Sequence, residues 1–144
     1  MSRMMQLEKL DGFGNVQMVE VDRPAPGPGQ LLVKVNRSLI SRGSELFKRY
    51  VLEKAVSPDI MGYSDAGEII EVGPDVGSYS IGQRVMVNAP HAQYVIANTE
   101  GRRKRAFSLP DDLTQEIATF LPLTTSSVMW MRSSPIESGQ TAVI

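Results

Sequence analysis

Cysteine is absent from this 144-residue sequence, and histidine occurs only once, as His91. A chain without cysteine cannot form disulfides, use a thiolate nucleophile or hold a cysteine-ligated zinc ion. Its apolar runs are only a few residues long, far short of the roughly 20 that span a bilayer, and no signal-like segment opens it. We therefore predict a cytoplasmic protein without a membrane partner.

An excess of charge of either sign is also lacking. The chain carries 15 basic and 16 acidic residues, with a net charge of −1. No global field draws such a protein to nucleic acid or to an anionic membrane. The composition therefore favours a small molecule or another protein as the partner.

Short β-branched runs at close spacing dominate the first two thirds of the chain. The turn "DGFGN" between two such runs predicts a β-hairpin, with Gly12, Gly14 and Asn15 supplying the positive φ values that a hairpin connection needs. Further strands are predicted in the runs "LLVKVN", "GEIIEVG", "QRVMVN" and "QYVIAN". The pattern indicates a mainly β (α+β) fold, built as a barrel or a sandwich.

One short helix is predicted among these strands, in "SELFKRYVL". Ser44 is placed to cap it, and Leu46, Tyr50 and Val51 are spaced to share one face.

A longer helical pattern follows "SLPDDL". Apolar residues at helical spacing run from Ile117 to Thr124, with Asp112 or Thr114 as the cap, and Pro122 is expected to kink or end the helix. A second helix is predicted through "TSSVMWMRSS".

Four segments, in order, resemble the medium-chain dehydrogenase/reductase superfamily, the relatives of zinc alcohol dehydrogenase and quinone oxidoreductase. They are "RPAPGPGQLLVKV", "IMGYSDAGEIIEVGPDVGSYSIGQRV", "HAQYVIAN" with "SLPDDLTQEIATFLPL", and "ESGQTAVI". The resemblance implies a GroES-like catalytic barrel over residues 1–138, with linker helices at about 113–133. Residues 139–144 would then begin a Rossmann domain, of which "GQTAVI" would be the first strand.

The resemblance also implies NAD(P)H as the cofactor of the full-length protein. The glycine-rich turn that receives the pyrophosphate would follow Ile144. We therefore expect this chain to be a fragment whose partner is its own missing Rossmann domain. By itself it should bind no dinucleotide and turn over no substrate, whereas the full-length protein is expected to form a homodimer or a larger assembly.

The first zinc-binding segment of the metal-dependent relatives is altered here. Where those relatives carry a Cys-Gly-Thr-Asp-like segment, this chain has "RGSE". Arg42 then stands at the cysteine, Ser44 at the proton-relaying hydroxyl and Glu45 at the outer-shell acid. Arg42 can alternatively be a structural ion-pair partner of Glu45 or Asp65.

The remaining ligand positions are altered as well. Tyr63 and Ser64 stand where the relatives have the histidine and glutamate of Gly-His-Glu, and the later cysteine falls near Thr124. Arginine, tyrosine and threonine cannot replace the Cys, His, Asp and Glu ligands of a catalytic zinc ion. We therefore predict a protein without zinc.

Without a metal, hydrogen-bonding groups must meet the negative charge that develops on a substrate oxygen. Three side chains are predicted to be catalytic: Ser44 donates or relays a proton, Arg42 polarises the substrate oxygen, and Tyr63 lines the pocket as a further donor. Four others are predicted to contact the substrate, namely Ser64, Glu45, Thr124 and His91.

Structural alternatives stand beside these roles. Tyr63 can simply fill the space of a lost metal site with its hydroxyl bonded to the backbone. Ser44 can serve only as a helix cap, and His91 can be a loop residue that makes one hydrogen bond.

Three functions follow from the resemblance. The first is a zinc-independent NAD(P)H-dependent oxidoreductase that reduces an enone, a quinone or a carbonyl compound. The second is a zinc-free alcohol or polyol dehydrogenase. The third is a non-catalytic GroES-like binding or assembly module.

Overall fold

The computed structural model describes residues 2–101, 105–135 and 137–141. Its seven strands are β1 (Arg3–Lys9), β2 (Val16–Asp22), β3 (Gln30–Ser38), β4 (Asp65–Val72), β5 (Arg84–Val87), β6 (Tyr94–Asn98) and β7 (Ala106–Ser108). Its helical segments are a π-helix (Arg42–Tyr50), a 3-10 turn (Pro58–Ile60), α1 (Gln115–Ala118) and α2 (Leu121–Ser133). Within the described ranges, no helix combines the length and the apolar character that crossing a membrane requires.

Strands β1 and β2 form the predicted hairpin and pair in antiparallel fashion along their whole length. Gly12 and Gly14 have φ values of +100° and +65°, as predicted. The expectation of a positive φ at Asn15 was wrong, since Asp75 is the one non-glycine residue with positive φ in the described ranges. Asn15 instead stabilises the turn through its side chain, which donates to the Asp11 carbonyl at 2.8 Å.

The other five strands form one antiparallel sheet in the order β6-β3-β4-β5-β7. The sheet curls into a half-barrel, which confirms the mainly β, GroES-like fold class. All the predicted strands within the described ranges are present. Strand β7 was not predicted, because three residues are too few to establish an alternating pattern.

The core lies on the inner side of this sheet. Strand β3 lies between β6 and β4, and residues 31–33 are completely buried, so both faces of the sheet are covered at this point. The main cluster of buried apolar residues contains Met4, Leu31, Val33, Ile69, Val85, Val87, Ala89, Ala92, Val95, Ala97 and Ala106.

The helix predicted in "SELFKRYVL" is present, but Ser41 caps it rather than Ser44. Ser41 has the extended backbone of a cap residue, and its hydroxyl accepts the Ser44 N–H at 3.4 Å. The helix is wider than an α-helix, since the Leu46 N–H reaches the Ser41 carbonyl at 3.4 Å, five residues back.

The buried face of this helix also differs from the prediction. Leu46 and Val51 are exposed, Tyr50 is half-buried, and the one fully buried residue is Glu45. The Glu45 carboxylate is held inside by hydrogen bonds, and this polar network overrides the apolar spacing.

Two C-terminal helices form, as predicted, but the break between them falls at residues 119–120 rather than at Pro122. Thr114 caps α1 as predicted, with its hydroxyl accepting the Ile117 N–H at 3.3 Å. Pro122 lies in the first turn of α2, where its missing N–H leaves no hydrogen bond unmade. The predicted strand in "TAVI" lies almost wholly outside the described residues, and the domain boundary at 138/139 stays a prediction.

Candidate functional site

A pair of polar residues lies at one end of the ladder between strands β3 and β4. Ser38, the last residue of β3, is the register partner of Asp65, the first residue of β4. The Ser38 hydroxyl is hydrogen-bonded to Oδ1 of Asp65. Ser38 is exposed and Asp65 is only 1% exposed, so the hydroxyl lies between solvent and a buried carboxyl group.

His91 links this pair to the π-helix. Its Nδ1 is hydrogen-bonded to Oγ of Ser38 and lies 3.8 Å from Oδ1 of Asp65, while its Nε2 lies 2.8 Å from Oε1 of Glu45. The imidazole therefore lies between two carboxyl groups. The alternative of a loop histidine with one hydrogen bond was wrong, because both ring nitrogens have partners and the residue is 7% exposed.

Gly62 makes room for the His91 ring. A Cβ atom at position 62 would lie 2.7 Å from the His91 backbone nitrogen and 2.9 Å from Cγ of its ring. Gly62 also has a φ of +112°, which other residues rarely adopt. The His91 N–H donates to the carbonyl of Met61 at 2.7 Å, so the glycine turn and the histidine are held together. We name Ser38, Glu45, Asp65 and His91 the polar cluster.

Glu45 is completely buried and has three hydrogen-bond partners. Its Oε2 accepts the Ser41 N–H at 2.7 Å, and its Oε1 faces both His91 and, at 3.5 Å, the Tyr50 hydroxyl. Burial and then the charge of Glu45 raise the pKa of Tyr50 to about 12. Tyr50 therefore stays a hydrogen-bond donor at any physiological pH.

Asp65 is the least satisfied member of the polar cluster. Its Oδ2 is buried without a hydrogen-bond partner among the residues that the structure describes. Burial, reinforced by the charge of Glu45, raises the pKa of Asp65 to about 8, although the hydrogen bond from Ser38 acts in the opposite direction. At neutral pH this carboxyl group therefore holds a proton.

A pocket of about 350 Å³ opens over the polar cluster. Ser38 and His91 form part of its polar lining, together with Gln93 and residues 36 and 37. Its apolar lining comes from both sheets and consists of Leu7, Met18, Val35, Ile40 and Ala92. A small, largely apolar molecule with one oxygen directed at Ser38 fits this chemistry.

Two of the three predicted catalytic residues lie on the π-helix, and neither lines this pocket. Arg42 is exposed, and its guanidinium group lies over the Phe47 ring, 5.4 Å from the centroid. The alternative of an ion pair with Glu45 or Asp65 was wrong, because no such pair occurs within the described residues. Ser44 is half-buried, and its N–H is bonded to Ser41.

Tyr63, Ser64 and Thr124, which stand at the second and third zinc-ligand positions of the metal-dependent relatives, also lie outside the polar cluster. Tyr63 is half-buried. The alternative role, in which it fills the space of a lost metal site, requires a hydrogen bond from its hydroxyl to the backbone, and no such bond occurs within the described part of the chain. Ser64 is buried and donates to the backbone carbonyl of Thr119. Thr124 is exposed on α2. Within the described residues, the one side-chain hydrogen bond between two of the predicted site residues joins Glu45 and His91.

The residues present do not fit a catalytic zinc ion. Arg42, Tyr63 and Thr124 offer no ligand set at the positions that correspond to the metal site. Across residues 2–101, 105–135 and 137–141, no three His, Cys, Asp or Glu side chains are arranged to hold a metal. Glu45 and Asp65 face opposite nitrogens of the His91 ring, so these three cannot converge on one ion.

Ser38 and Asp65 were missed as site residues in the sequence. No local signal could have found them, because both lie just outside the predicted runs "LLVKVN" and "GEIIEVG" and only the register between β3 and β4 brings them together.

Residues 27–116, more than half of the chain, match the family described as the alcohol dehydrogenase GroES-like domain. The chain is similar to L-threonine 3-dehydrogenase of Pyrococcus horikoshii, with 39% identity over 53% of this chain and 22% of that protein. It is also similar to (R,R)-butanediol dehydrogenase of Bacillus subtilis, with 24% identity over 90% of this chain and 47% of that protein.

Solved structures agree in fold. A structure from Sinorhizobium meliloti 1021, described as a zinc-binding dehydrogenase bound to NADP, has a TM-score of 0.75 at 24% identity, covering 98% of this chain and 48% of that one. A quinone oxidoreductase from Pseudomonas syringae has a TM-score of 0.73 at 18% identity, covering 95% and 43%. At these identities the likeness shows the fold alone.

The chain thus spans less than half the length of these relatives. The match to the GroES-like family extends from the turn before β3 to α1 and includes every member of the polar cluster. The chain belongs to the alcohol dehydrogenase GroES-like domain family, within the medium-chain dehydrogenase/reductase superfamily.

Proposed function

We propose that this chain is the substrate-binding part of a zinc-independent NAD(P)H-dependent oxidoreductase that reduces an enone, a quinone or a carbonyl compound. The observation that carries the proposal is the pocket beside β3, where the exposed residue Ser38 and the buried residue His91 line a largely apolar space. The family membership and the likeness to a quinone oxidoreductase and to an NADP-bound dehydrogenase support it.

The reaction needs a hydride and a proton. The nicotinamide, when bound, supplies the hydride to a carbon of the substrate, and the negative charge then develops on the substrate oxygen. Ser38 can direct a hydrogen bond to that oxygen, while the two ring nitrogens of His91 are bonded to Ser38 and Glu45. The apolar lining residues can contact the rest of the substrate.

The other predicted site residues keep their proposed roles if their polar groups are free to bond to a substrate. Tyr63 has a hydroxyl without a partner in the described ranges, and Arg42 is exposed, so both stay candidate donors to a part of the substrate that extends beyond this pocket. The hydroxyls of Ser44 and Thr124 have no hydrogen-bond partner within the described ranges, and neither residue lines the pocket. Ser64 is the weakest member of the set, because its hydroxyl is used by the Thr119 carbonyl.

A zinc-free alcohol or polyol dehydrogenase is the second candidate. It is favoured by the similarity to L-threonine 3-dehydrogenase and (R,R)-butanediol dehydrogenase, whose names denote substrates with a hydroxyl group. The same residues would then accept the proton that they donate in reduction. A non-catalytic GroES-like module remains the third function, and it requires neither chemistry.

The test uses the longest natural polypeptide that contains these residues. Oxidation of NADPH and NADH is followed with enones, quinones and carbonyl compounds, and reduction of NAD and NADP with alcohols and polyols, each with and without a strong zinc chelator. We expect turnover in the reductive direction that the chelator does not change. Turnover that is lost with chelator and restored by zinc contradicts the metal-free site, and no turnover in any assay favours the binding module.

A further inference from the structure

The hydroxyl of Ser38 sets the protonation of the whole polar cluster. Its Oγ is hydrogen-bonded both to Oδ1 of Asp65 and to Nδ1 of His91. A hydroxyl has a single proton to donate, so Ser38 donates to one of these neighbours and accepts from the other. The direction in which Ser38 points therefore decides which of the two neighbours carries a proton.

Three arrangements satisfy every hydrogen bond and contain the same number of protons. If Asp65 is protonated, it donates to Ser38, Ser38 donates to Nδ1, and the Nε2–H of His91 donates to Glu45. If Asp65 is ionised, Ser38 donates to it, and the mobile proton lies on the His91 ring or at Glu45. All three have the same net charge, so one proton can pass along the series Asp65, Ser38, His91 and Glu45.

Burial separates the ends of this series from solvent. Asp65 is 1% exposed and Glu45 is not exposed at all, whereas Ser38 is exposed and lines the pocket. A proton held at Asp65 therefore reaches a bound molecule through the Ser38 hydroxyl. Glu45 does not line the pocket, and its contact at 2.8 Å fixes the orientation of the ring.

The charged and titratable groups around the polar cluster are few. Tyr50 faces Glu45 from the π-helix and remains protonated, since its pKa is raised to about 12. Arg37 also lines the pocket, but its guanidinium group is bonded to Glu116 at 2.7 Å. With the raised pKa of Asp65, the mobile proton is held at Asp65 near neutral pH.

We infer that Asp65 and Ser38 form a proton relay, in which the Ser38 hydroxyl is the catalytic group that gives its proton to the oxygen of a substrate in the pocket, while His91 holds Ser38 in place through Nδ1. Glu45 is a positioning residue that acts through His91. This inference rests on the proposed function, since it assigns the source of the proton that accompanies the hydride.

A bound nicotinamide would supply the hydride, with both of its electrons, for the new C–H bond, and the substrate oxygen would take the proton of Ser38. The Asp65 proton moves to Oγ of Ser38, which leaves Asp65 as a carboxylate. The carboxylate then regains a proton from solvent through Ser38 after the product leaves, and an alcohol oxidation would run the same transfers in reverse.

The lone histidine allows a direct test, because His91 gives the only imidazole signals of the 144-residue chain. Nitrogen-15 NMR is recorded across pH for the original chain, for Asp65→Asn and for Ser38→Ala, with Ser126→Ala on the exposed face of α2 as the matched control. We expect the Nε2–H tautomer at neutral pH and a shift of the ring signals as Asp65 ionises near pH 8. Asp65→Asn and Ser38→Ala should remove this shift, and Ser126→Ala should leave it unchanged.

If neither Asp65→Asn nor Ser38→Ala changes the pH-dependent shift of the His91 ring signals, the relay is overturned, whatever the activity of the protein. An Nδ1–H tautomer at neutral pH would place the mobile proton at Glu45 and overturn the assignment of Asp65.

The second test measures steady-state kinetics of the longest natural polypeptide. General acid catalysis typically contributes 10²–10⁴-fold, so we expect Ser38→Ala to lower kcat by about 100-fold with little change in KM, and Ser38→Thr to restore most of it. Asp65→Asn should lower kcat and remove the fall in rate near pH 8. Normal kcat in Ser38→Ala overturns the relay while the proposed function stands. Coupled NMR signals without turnover on any substrate overturn the proposed function, and the delivery of the proton with it.

Discussion

The pair of strands β3 and β4 has two different ends. Towards one end, at the third of the seven register pairs, Val33 lies opposite Ile69, and both are completely buried in the apolar core. At the other end Ser38 lies opposite Asp65, which is just as buried but polar. The same ladder thus continues from a region that stabilises the fold into a region that does not.

The energies of the two ends have opposite signs. Full burial of a Val, Leu or Ile side chain contributes about 1.5–3 kcal/mol. A buried polar atom without a partner, such as Oδ2 of Asp65, costs about 1–3 kcal/mol. A polar group that is retained at such a cost, with a perturbed pKa and beside a pocket, is typical of a functional site.

The largest effect is expected at the apolar end. Ile69→Ala removes a fully buried side chain from the main core cluster, and we expect it to lower the free energy of unfolding by about 2–5 kcal/mol. Urea unfolding measures this loss. The His91 ring signals of the folded fraction should not change, and a change would show that the two ends are coupled.

Gly62→Ala perturbs the polar end of the ladder through the backbone turn that holds His91. The new Cβ would be forced against His91 and the residue would keep an unfavourable positive φ, so we expect a loss of about 2–3 kcal/mol. The His91 signals should move in this variant. Gly77→Ala serves as a control, since nothing lies within 4 Å of a Cβ there and its φ is not positive.

Asp65→Asn tests the polar end of the ladder through the pH dependence of the free energy of unfolding. The pKa of Asp65 is about 8 in the folded protein and 3.8 in the unfolded chain, so between these values only the folded state binds this proton. Stability should therefore fall as the pH rises through this window, by at most about 1.4 kcal/mol per pH unit. Asparagine cannot titrate, and urea unfolding of Asp65→Asn should show a flatter pH profile. An identical slope in both proteins would contradict the raised pKa.

The smallest effect is expected at the cap of the π-helix. Ser41→Ala removes the hydroxyl that accepts the Ser44 N–H and should cost about 1 kcal/mol. Ser44→Ala is the matched control, with little expected loss of stability. Thermal unfolding of the two variants compares them directly, and the reverse order would restore Ser44 as the cap.

The strands were predictable because alternation and glycine turns are local signals. The polar end was not predictable, because its register depends on two bulges. The pairing passes from Leu32↔Glu71 to Val33↔Ile69 and skips Ile70, and it later skips Asn36 on the other strand. The second bulge brings Ser38 opposite Asp65, and a bulge of this kind has no consistent sequence pattern.

By itself the sequence determined a cysteine-free, strand-rich barrel of the GroES-like family, and it limited the protein to a single imidazole. Only the tertiary structure decided what surrounds that imidazole. Its partners come from β3 and the π-helix, 53 and 46 residues away along the chain. A hydrogen bond over such a separation depends on strand register and on the space left by Gly62, neither of which is encoded in the residues near His91.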